Sequence, residues 1–332
     1  MLLDPTTGPL SLPGLLLAAL LIDALVGDPK WLFRALPHPV ALAGSLIGWF
    51  DRRLNRESRS ESSRALRGLI VTVLVVALAA MIGWAIATLS AVWRHGWIVE
   101  LVFVVLLVAQ RSLFDHALAV AVALATGGVG GGRAAVAHIV GRDPEGLDAH
   151  GVARAAIESL AENFADGVVA PAFWYLLLGP VGIAAYKAAN TLDSMIGHRT
   201  PRHGAFGRAA ARLDDALNWL PARIAGAMIV IAALFTPGGT PTRAFRVMAR
   251  DGGKHRSPNA GWPEAAMAGA LSVALSGPRS YAGLAASEPW LGEEYSARIG
   301  PVEIRRALYL FAVACLVNAA VVAAIAWYAL AV

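Results

Sequence analysis

The stretch Leu66 to Trp93 reads LRGLIVTVLVVALAAMIGWAIATLSAVW and contains one charged residue, Arg67. A helix that crosses a bilayer needs about 20 mostly apolar residues, and this stretch exceeds that length. The C-terminal segment, Leu308 to Val332, has no charged residue and is also long enough. These two segments predict a helical protein that is integral to a membrane.

The composition of the whole chain also indicates a membrane protein. Of 332 residues, 57% are hydrophobic and 15% are charged, whereas soluble domains are about 45–50% apolar and about 25% charged. The net charge of +5 comes from arginines scattered over the connections between apolar segments, which is typical of membrane loops. We therefore expect a lipid bilayer, and no nucleic acid, as a partner. The single cysteine, Cys315, excludes an intramolecular disulfide.

The hydrophobic pattern predicts an all-α fold: a polytopic helical bundle in which residues 1–332 form a single membrane-embedded domain. Two apolar segments, 167–186 and 222–236, either span or are re-entrant. The first contains the break Gly179-Pro180, and the second is short. The expected active site is built from cytoplasmic loops. The predicted spans are 10–26, 68–92, 98–125 and 308–331.

Charge in the loops predicts the orientation. Loop 28–67 carries eight Lys or Arg against four acids and is placed in the cytoplasm. Loops 126–165, which starts with a glycine-rich flexible turn, and 237–306 follow on the same side. Loop 187–221 lies outside if both flanking segments span and inside if both are re-entrant, and its basic residues favour the inside. The expected location is the inner (cytoplasmic) membrane, with several passes.

Three carboxylates are spaced four residues apart, at Glu158, Glu162 and Asp166. On a helix this spacing places them on one face, where they repel one another unless a cation lies among them. Mg²⁺ is commonly held by one or two carboxylates together with substrate phosphates. The pattern therefore favours a magnesium site, and the alternative is a solvated acidic face.

A second polar group follows the first broken segment. Lys187, Asn190 and Ser194 share a helical face, with Asp193 beside them. Lysine commonly binds phosphate, and the side chains of Asn and Ser can orient a polar ligand by hydrogen bonds. The alternative is a lysine at the membrane boundary whose polar neighbours cap a helix.

Further candidates lie in basic and loop segments. Arg199 belongs to a basic loop that could hold a phosphate or a carboxylate, while internal Arg–Asp pairs are the alternative for the short helix that follows it. His38 lies in a rigid Pro-rich segment and either binds a ligand or supports the membrane boundary. The last loop leads into a helix whose N-terminus could receive an anion. The remaining candidates are Arg212, Asp214, Asp215, Asn218, Ser257, Asn259 and Glu264.

Several segments, in order along nearly the whole chain, resemble the adenosylcobinamide-phosphate synthases of cobalamin biosynthesis (the CobD/CbiB family). The matching segments are 23–31, 38–40, 158–171, 186–197, 211–215, 218–223 and 257–269. The resemblance implies a carbon–nitrogen ligase that joins adenosylcobyric acid to aminopropanol or its O-phosphate, with ATP and Mg²⁺. The partners would be this corrinoid and the amino-alcohol, and a homo-oligomer is left open.

For that reaction the side-chain chemistry suggests three sets of residues. The metal set is Glu158, Glu162 and Asp166. The catalytic set is Glu158, Glu162, Lys187, Asp214 and Asp215. The substrate-binding set is His38, Asn163, Asn190, Asp193, Ser194, Arg199, Arg212, Asn218, Ser257, Asn259 and Glu264.

Two other functions fit a membrane protein with buried polar groups. A transporter of a polar or corrinoid substrate is favoured by the broken segment at Gly179-Pro180 and by Asp23 in the first span, but the sequence shows no two-fold internal similarity. A magnesium-dependent membrane alcohol-phosphotransferase also sets acids beside a lipid cavity. The arginine that its motif requires after Asp166-Gly167 is missing.

Overall fold

A computed structural model describes residues 10–27, 38–140, 144–281, 284–286 and 288–331. The described chain is mostly helical and has only short strands, which confirms the all-α prediction. Its helices are α1 (Leu12–Val26), α2 (Pro39–Leu54), α3 (Glu61–Val92), α4 (Gly96–Val105), α5 (Gln110–Val136), α6 (Ala149–Phe164), α7 (Ala170–Ile196), α8 (Arg208–Ala232), α9 (Pro241–Asp251), α10 (Gly261–Leu271) and α11 (Pro301–Ala331). A π-helix, Ala165–Val169, joins α6 to α7, and short 3₁₀ turns cover Ala233–Phe235 and Gly252–Lys254.

Five helical stretches are long and apolar enough to cross a membrane, and they support a multi-pass membrane protein. They are Glu61–Val92, Gly96–Val136, Ala149–Ile196, Arg208–Phe235 and Pro301–Ala331, while Leu12–Val26 is apolar but shorter. Helix α3 begins seven residues before the predicted span because Ser60 caps it, accepting a hydrogen bond from the Ser63 N–H. The length of the apolar run therefore predicts where the helix lies, but it does not predict the polar turns with which the helix begins.

The chain forms two compact units, each with its own hydrophobic core. The first unit comprises Met1–Ala109, Ala170–Leu217 and Val321–Val332, and the second comprises Gln110–Val169 and Asn218–Ala320. In the first unit, one cluster surrounds Tyr175 and another surrounds Phe206. In the second unit, a single larger cluster includes Phe164 and Phe311.

The predicted break at Gly179-Pro180 in the first unit is confirmed, and it reverses the chain. Gly179 has φ 61° and ψ −149°, outside the helical region. A Cβ placed on Gly182 would lie 2.2 Å from the carbonyl oxygen of Trp174, eight residues earlier. Eight residues of straight helix span about 12 Å, so the two arms of α7, residues 170–178 and 180–196, fold back on each other. We call this feature the α7 hairpin.

A similar reversal occurs in α5 of the second unit, where the sequence predicted a flexible turn. Gly128 has φ 61° and ψ −156°. A Cβ on Gly131 would lie 2.8 Å from the carbonyl oxygen of Ala123, again eight residues earlier. The glycine-rich stretch is therefore helical on both sides of one reversing residue, because only glycine adopts this backbone conformation without steric cost.

The predicted loop 237–306 is largely ordered secondary structure in the second unit. It contains α9, α10 and two short antiparallel strand pairs. β1 (Leu275–Ser276) pairs with β4 (Trp290–Leu291), and β2 (Arg279–Tyr281) pairs with β3 (Leu284–Ala286). We call residues 275–299 the strand segment.

Candidate functional site

The sequence-predicted residues divide between the two units, and each set is described by itself. The first unit holds His38, Lys187, Asn190, Asp193, Ser194, Arg199, Arg212, Asp214 and Asp215. The second unit holds Glu158, Glu162, Asn163, Asp166, Asn218, Ser257, Asn259 and Glu264.

In the second unit, one row of α6 side chains fixes the strand segment. His150 Nδ1 lies 2.8 Å from the Ile299 carbonyl oxygen, and Arg154 Nη1 donates to the Ala297 carbonyl oxygen at 2.8 Å. One turn later, Glu158 Oε1 accepts from the Ser276 N–H at 2.7 Å. The Arg154 guanidinium also lies 5.5 Å from the centroid of the Trp290 ring. Three successive turns of one helix therefore bind backbone groups of a segment more than 100 residues away.

Within this row, Glu158, the first of the three predicted carboxylates, has a backbone partner. Glu158 is only 5% exposed, and its Oε1 is occupied by the Ser276 N–H. A buried carboxylate–amide hydrogen bond of this kind stabilises the fold. Among the residues described, no three His, Cys, Asp or Glu side chains are grouped so that they could hold a metal ion.

The same row continues into more accessible positions. Glu162 is exposed and Asp166 is half-buried. Asp166 lies within the π-helix Ala165–Val169, a rare geometry that occurs frequently at functional sites. Asn163 donates to the Ser159 carbonyl oxygen at 2.8 Å, and Ser159 Oγ in turn donates to the Ile139 carbonyl oxygen at 2.7 Å. Glu162 and Asp166 thus present carboxylates from a firmly held helix end.

The candidates from the last loop lie at the start of α10. Ser257 Oγ accepts from the backbone N–H groups of Asn259 and Ala260, at 3.3 and 3.2 Å. Asn259 and Glu264 are buried. Ser257 therefore orders the turn before α10. Asn218, in α8, is also buried.

Sequence reasoning missed a charged cluster that ends α9. Fully buried Asp251 accepts from Arg250 and Lys254 at 2.7 Å and from the Gly292 N–H at 2.9 Å. Arg250 also pairs with Glu294 at 2.7 Å. Burial raises the pKa of Asp251, but the hydrogen bonds from Arg250, Lys254 and Gly292 outweigh it and lower the pKa to about 2. Asp251 is thus a second anchor of the strand segment.

In the first unit, predicted residues of α7 and α8 meet. Asn190 Nδ2 donates to Asp214 Oδ1 at 3.3 Å, and Arg199 interacts electrostatically with Asp215. Lys187 and Asp193 are half-buried. Ser194 is exposed, and its hydroxyl donates to the Asn190 carbonyl oxygen at 2.9 Å. The structure therefore brings Asn190 of α7 next to Asp214 of α8.

The basic loop between α7 and α8 is held by α2 and α3. Asp51 pairs with Arg202 at 2.7 Å and with His203 at 3.4 Å. Burial raises the pKa of Asp51, but hydrogen bonds from Asn55 and Arg202 outweigh it and keep this pKa below its usual value. Buried Arg64 donates to the carbonyl oxygens of Pro201 and Arg202. These contacts join loop 28–67 to loop 187–221.

Two further predicted ligand residues, His38 and Arg212, lie elsewhere in the first unit. His38 caps α2, with its Nδ1 accepting from the Val40 N–H at 3.2 Å. The neighbouring residues 28–37, including part of the matching segment 23–31, lie outside the described residues. Arg212 is exposed and lines a groove with Leu66 and Leu69 of α3.

A buried polar pair in the first unit was also missed. Tyr175 donates its hydroxyl to Glu100 Oε1 at 2.6 Å, and both side chains are buried. Glu100 is the single acid in an otherwise apolar helix, α4. An acid in such a helix requires a partner, but only the fold identifies Tyr175 as that partner.

Comparison with known proteins identifies the family of the chain. The sequence profile of the CobD/Cbib protein family matches residues 16–311. The chain belongs to this family. A cobalamin biosynthesis protein CobD from Sinorhizobium sp. is 50% identical over 314 residues, covering 94% of this chain and 97% of that protein. The CobD proteins of Rhizobium meliloti (strain 1021) and Rhodobacter capsulatus are similar.

The Rhizobium meliloti protein is 46% identical, with 91% of this chain and 93% of that protein covered. The Rhodobacter capsulatus protein is 48% identical, with 90% of this chain and 92% of that protein covered. No solved structure is significantly similar to this chain. The family resemblance seen in the motifs is thus confirmed, and it places this multi-pass membrane protein among the cobalamin biosynthesis proteins.

Proposed function

We propose that the protein is an ATP-dependent carbon–nitrogen ligase that joins adenosylcobyric acid to aminopropanol or its O-phosphate. The family match over residues 16–311 carries this proposal. The relatives are named as cobalamin biosynthesis proteins, and an amide ligation is what the motif resemblance implies. The proposed location is the inner (cytoplasmic) membrane.

The chemistry requires an activated carboxyl group, because a carboxylate and an ammonium ion do not condense unaided in water. In the proposed scheme, a corrinoid carboxylate oxygen takes the terminal phosphoryl group of ATP, which gives an acyl phosphate and ADP. The amine, after losing a proton to a carboxylate base, attacks the acyl carbon. The C–N bond forms, the C–O bond to phosphate breaks, and phosphate leaves.

Glu162 and Asp166 are the best-placed candidates for holding Mg²⁺. They are accessible carboxylates on successive turns, and Mg²⁺ typically takes one or two protein carboxylates together with phosphate oxygens and water. This donor set fits without Glu158, whose Oε1 binds the Ser276 N–H. When bound, Mg²⁺ would neutralise charge on the phosphates.

The polar group on α7 and α8 is proposed to bind and orient the substrates. Lys187 supplies a cation for a phosphate or a carboxylate. Asn190 is oriented by Asp214, and Asp215, which interacts with Arg199, is a candidate base. Exposed Ser194 offers a hydroxyl within one turn of Asn190.

The direct test uses purified full-length protein in detergent with adenosylcobyric acid, aminopropanol phosphate, ATP and Mg²⁺. The expected result is an amide product, detected by mass spectrometry, formed together with one ADP per amide. Parallel reactions with free aminopropanol identify the preferred amine. A well-folded preparation that yields no amide with either amine would refute the proposal.

A transporter remains the second candidate because of the α7 hairpin, since broken helices surround the binding sites of many transporters. The same protein reconstituted into vesicles separates the two functions. Uptake of the corrinoid without ATP-dependent amide formation would favour transport, whereas amide formation without uptake would favour the ligase.

A further inference from the structure

The first unit contains an open groove of 430 Å³ between the start of α3 and the start of α8. Its walls are Ala65, Leu66 and Leu69 on one side, and Arg208, Ala209 and Arg212 on the other. One wall is therefore apolar and the other carries two guanidinium groups. This combination suits a ligand with both an anionic and an apolar part.

The two arginines of the groove, Arg208 and Arg212, are arranged so that they could bind an anion. Arg208 and Arg212 are exposed and one helical turn apart, so they share a face of α8 and repel each other. Neither guanidinium makes a hydrogen bond or ion pair with the part of the chain that the structure describes. An anion between them would relieve the repulsion and accept several charge-assisted hydrogen bonds.

The apolar wall continues into the lipid-facing side of α3. Leu66 and Leu69 are 59% and 48% exposed, and Val73, on the next turn, is 58% exposed. Large side chains with this exposure on a helix that crosses a bilayer contact acyl chains. The groove thus lies at the end of a hydrocarbon-facing surface, where headgroup phosphates are found.

We propose that this groove binds an anionic phospholipid. Its phosphate would lie between Arg208 and Arg212, and its acyl chains would lie along Leu66, Leu69 and the following turns of α3. A water-soluble phosphate would use the arginines but gain nothing from the exposed leucines. Basic pockets between membrane helices bind anionic headgroups in this way. The site is independent of the proposed ligation, and it gives Arg212 a lipid ligand in place of the corrinoid or amine.

The test is native mass spectrometry of delipidated full-length protein in detergent, titrated with dioleoyl phosphatidylglycerol or with dioleoyl phosphatidylcholine. We expect tighter binding of phosphatidylglycerol by about tenfold or more, since each arginine near a headgroup contributes roughly a factor of five. R208Q should weaken phosphatidylglycerol binding about fivefold and leave phosphatidylcholine binding unchanged. L69S should weaken the binding of both lipids.

Arg94 provides a matched control. It is an exposed arginine immediately after the other end of α3, so R94Q removes the same charge outside the groove and should leave lipid binding unchanged. Equal binding of the two lipids, or equal effects of R208Q and R94Q, would overturn the proposal. So would displacement of phosphatidylglycerol by millimolar inorganic phosphate, which would identify a site for soluble phosphate. Unchanged thermal unfolding of R208Q verifies that the variant is folded.

Discussion

The row of side chains on α6 has two parts with opposite surroundings. His150, Arg154 and Glu158 point to backbone groups of the strand segment, whereas Glu162 is exposed and Asp166 lies in the π-helix that follows. All five residues repeat at intervals of four. Helical spacing alone therefore cannot separate a carboxylate that binds the backbone from an accessible one, because that difference depends on what folds against each turn.

The largest effect is expected from E162A, on the accessible side of this comparison. If Glu162 holds Mg²⁺ near the reacting phosphates, its removal should lower the rate of amide formation by about 100-fold to 1000-fold. The temperature of thermal unfolding should stay unchanged, because the side chain is exposed. Amide formation is followed by mass spectrometry.

Glu293, an exposed acid in the strand segment, provides the matched control, and E293A should keep full activity. Normal activity of E162A would remove Glu162 from the mechanism. A large loss of stability in E162A would instead place it with the architectural residues.

The next effect is expected from E158A, which removes the acceptor of the buried Ser276 N–H. Leaving such a donor without a partner costs about 1–3 kcal/mol. Thermal or denaturant unfolding, followed by tryptophan fluorescence, should show this loss. E158Q keeps an oxygen at the same place and should recover most of the stability. If E158A abolished amide formation with no change in unfolding, the two parts of the row would not differ as described.

A smaller loss is expected from R154A. The variant removes the hydrogen bond to the Ala297 carbonyl oxygen and the contact with the Trp290 ring, which together contribute roughly 1–2 kcal/mol. Limited proteolysis should then cut the strand segment faster. R154K retains the charge but not the planar guanidinium, and it should fall between R154A and the unaltered protein. Equal proteolysis of all three would show that Arg154 does not anchor this segment.

The smallest effect is expected on hydrogen exchange at Gly292 when the pH is lowered from 7 to 5. Asp251, whose pKa is lowered to about 2 from its ordinary value of 3.8, stabilises the fold fully above about pH 4. This contribution is lost as the pH falls from about 4 towards 2, because the unfolded chain then binds the proton more tightly. Hydrogen exchange at Gly292 should therefore be constant between pH 7 and pH 5, after correction for the intrinsic rate. D251N should exchange faster throughout, and equal exchange would contradict the anchor.

Much of the fold could be predicted because apolar length and glycine–proline breaks act locally. The cores of α3 and α11 follow from their uninterrupted apolar residues, and the reversal at Gly179 follows from Gly-Pro inside such a segment. At Gly128 the sequence predicts only a flexible turn, because glycine-rich sequence does not reveal that the helix resumes directly after one residue.

The candidate site was less predictable. The spacing places Asn190 on a polar helix face, and the structure joins it to Asp214. Glu158, Arg154 and His150 bind backbone groups. Because nearly every residue carries the same backbone groups, the sequence does not show which of them a side chain will contact. The sequence predicts that Asp251 lies in a loop. In the structure its partners include the N–H of Gly292, which comes 41 residues later in the chain. Such contacts depend on tertiary folding and cannot be inferred from spacing.

If the α7 hairpin is re-entrant, one of the two alternatives that the sequence predicts, its two arms enter the bilayer together during synthesis. The second arm, residues 180–196, covers about 25 Å, less than a hydrocarbon core of about 30 Å. The tip at Pro180 packs against Gly83 of α3, while the far end of the second arm leads into the loop held by Asp51 and Arg64. In that arrangement, the translocation machinery does not have to carry the arginines of that loop across the hydrocarbon.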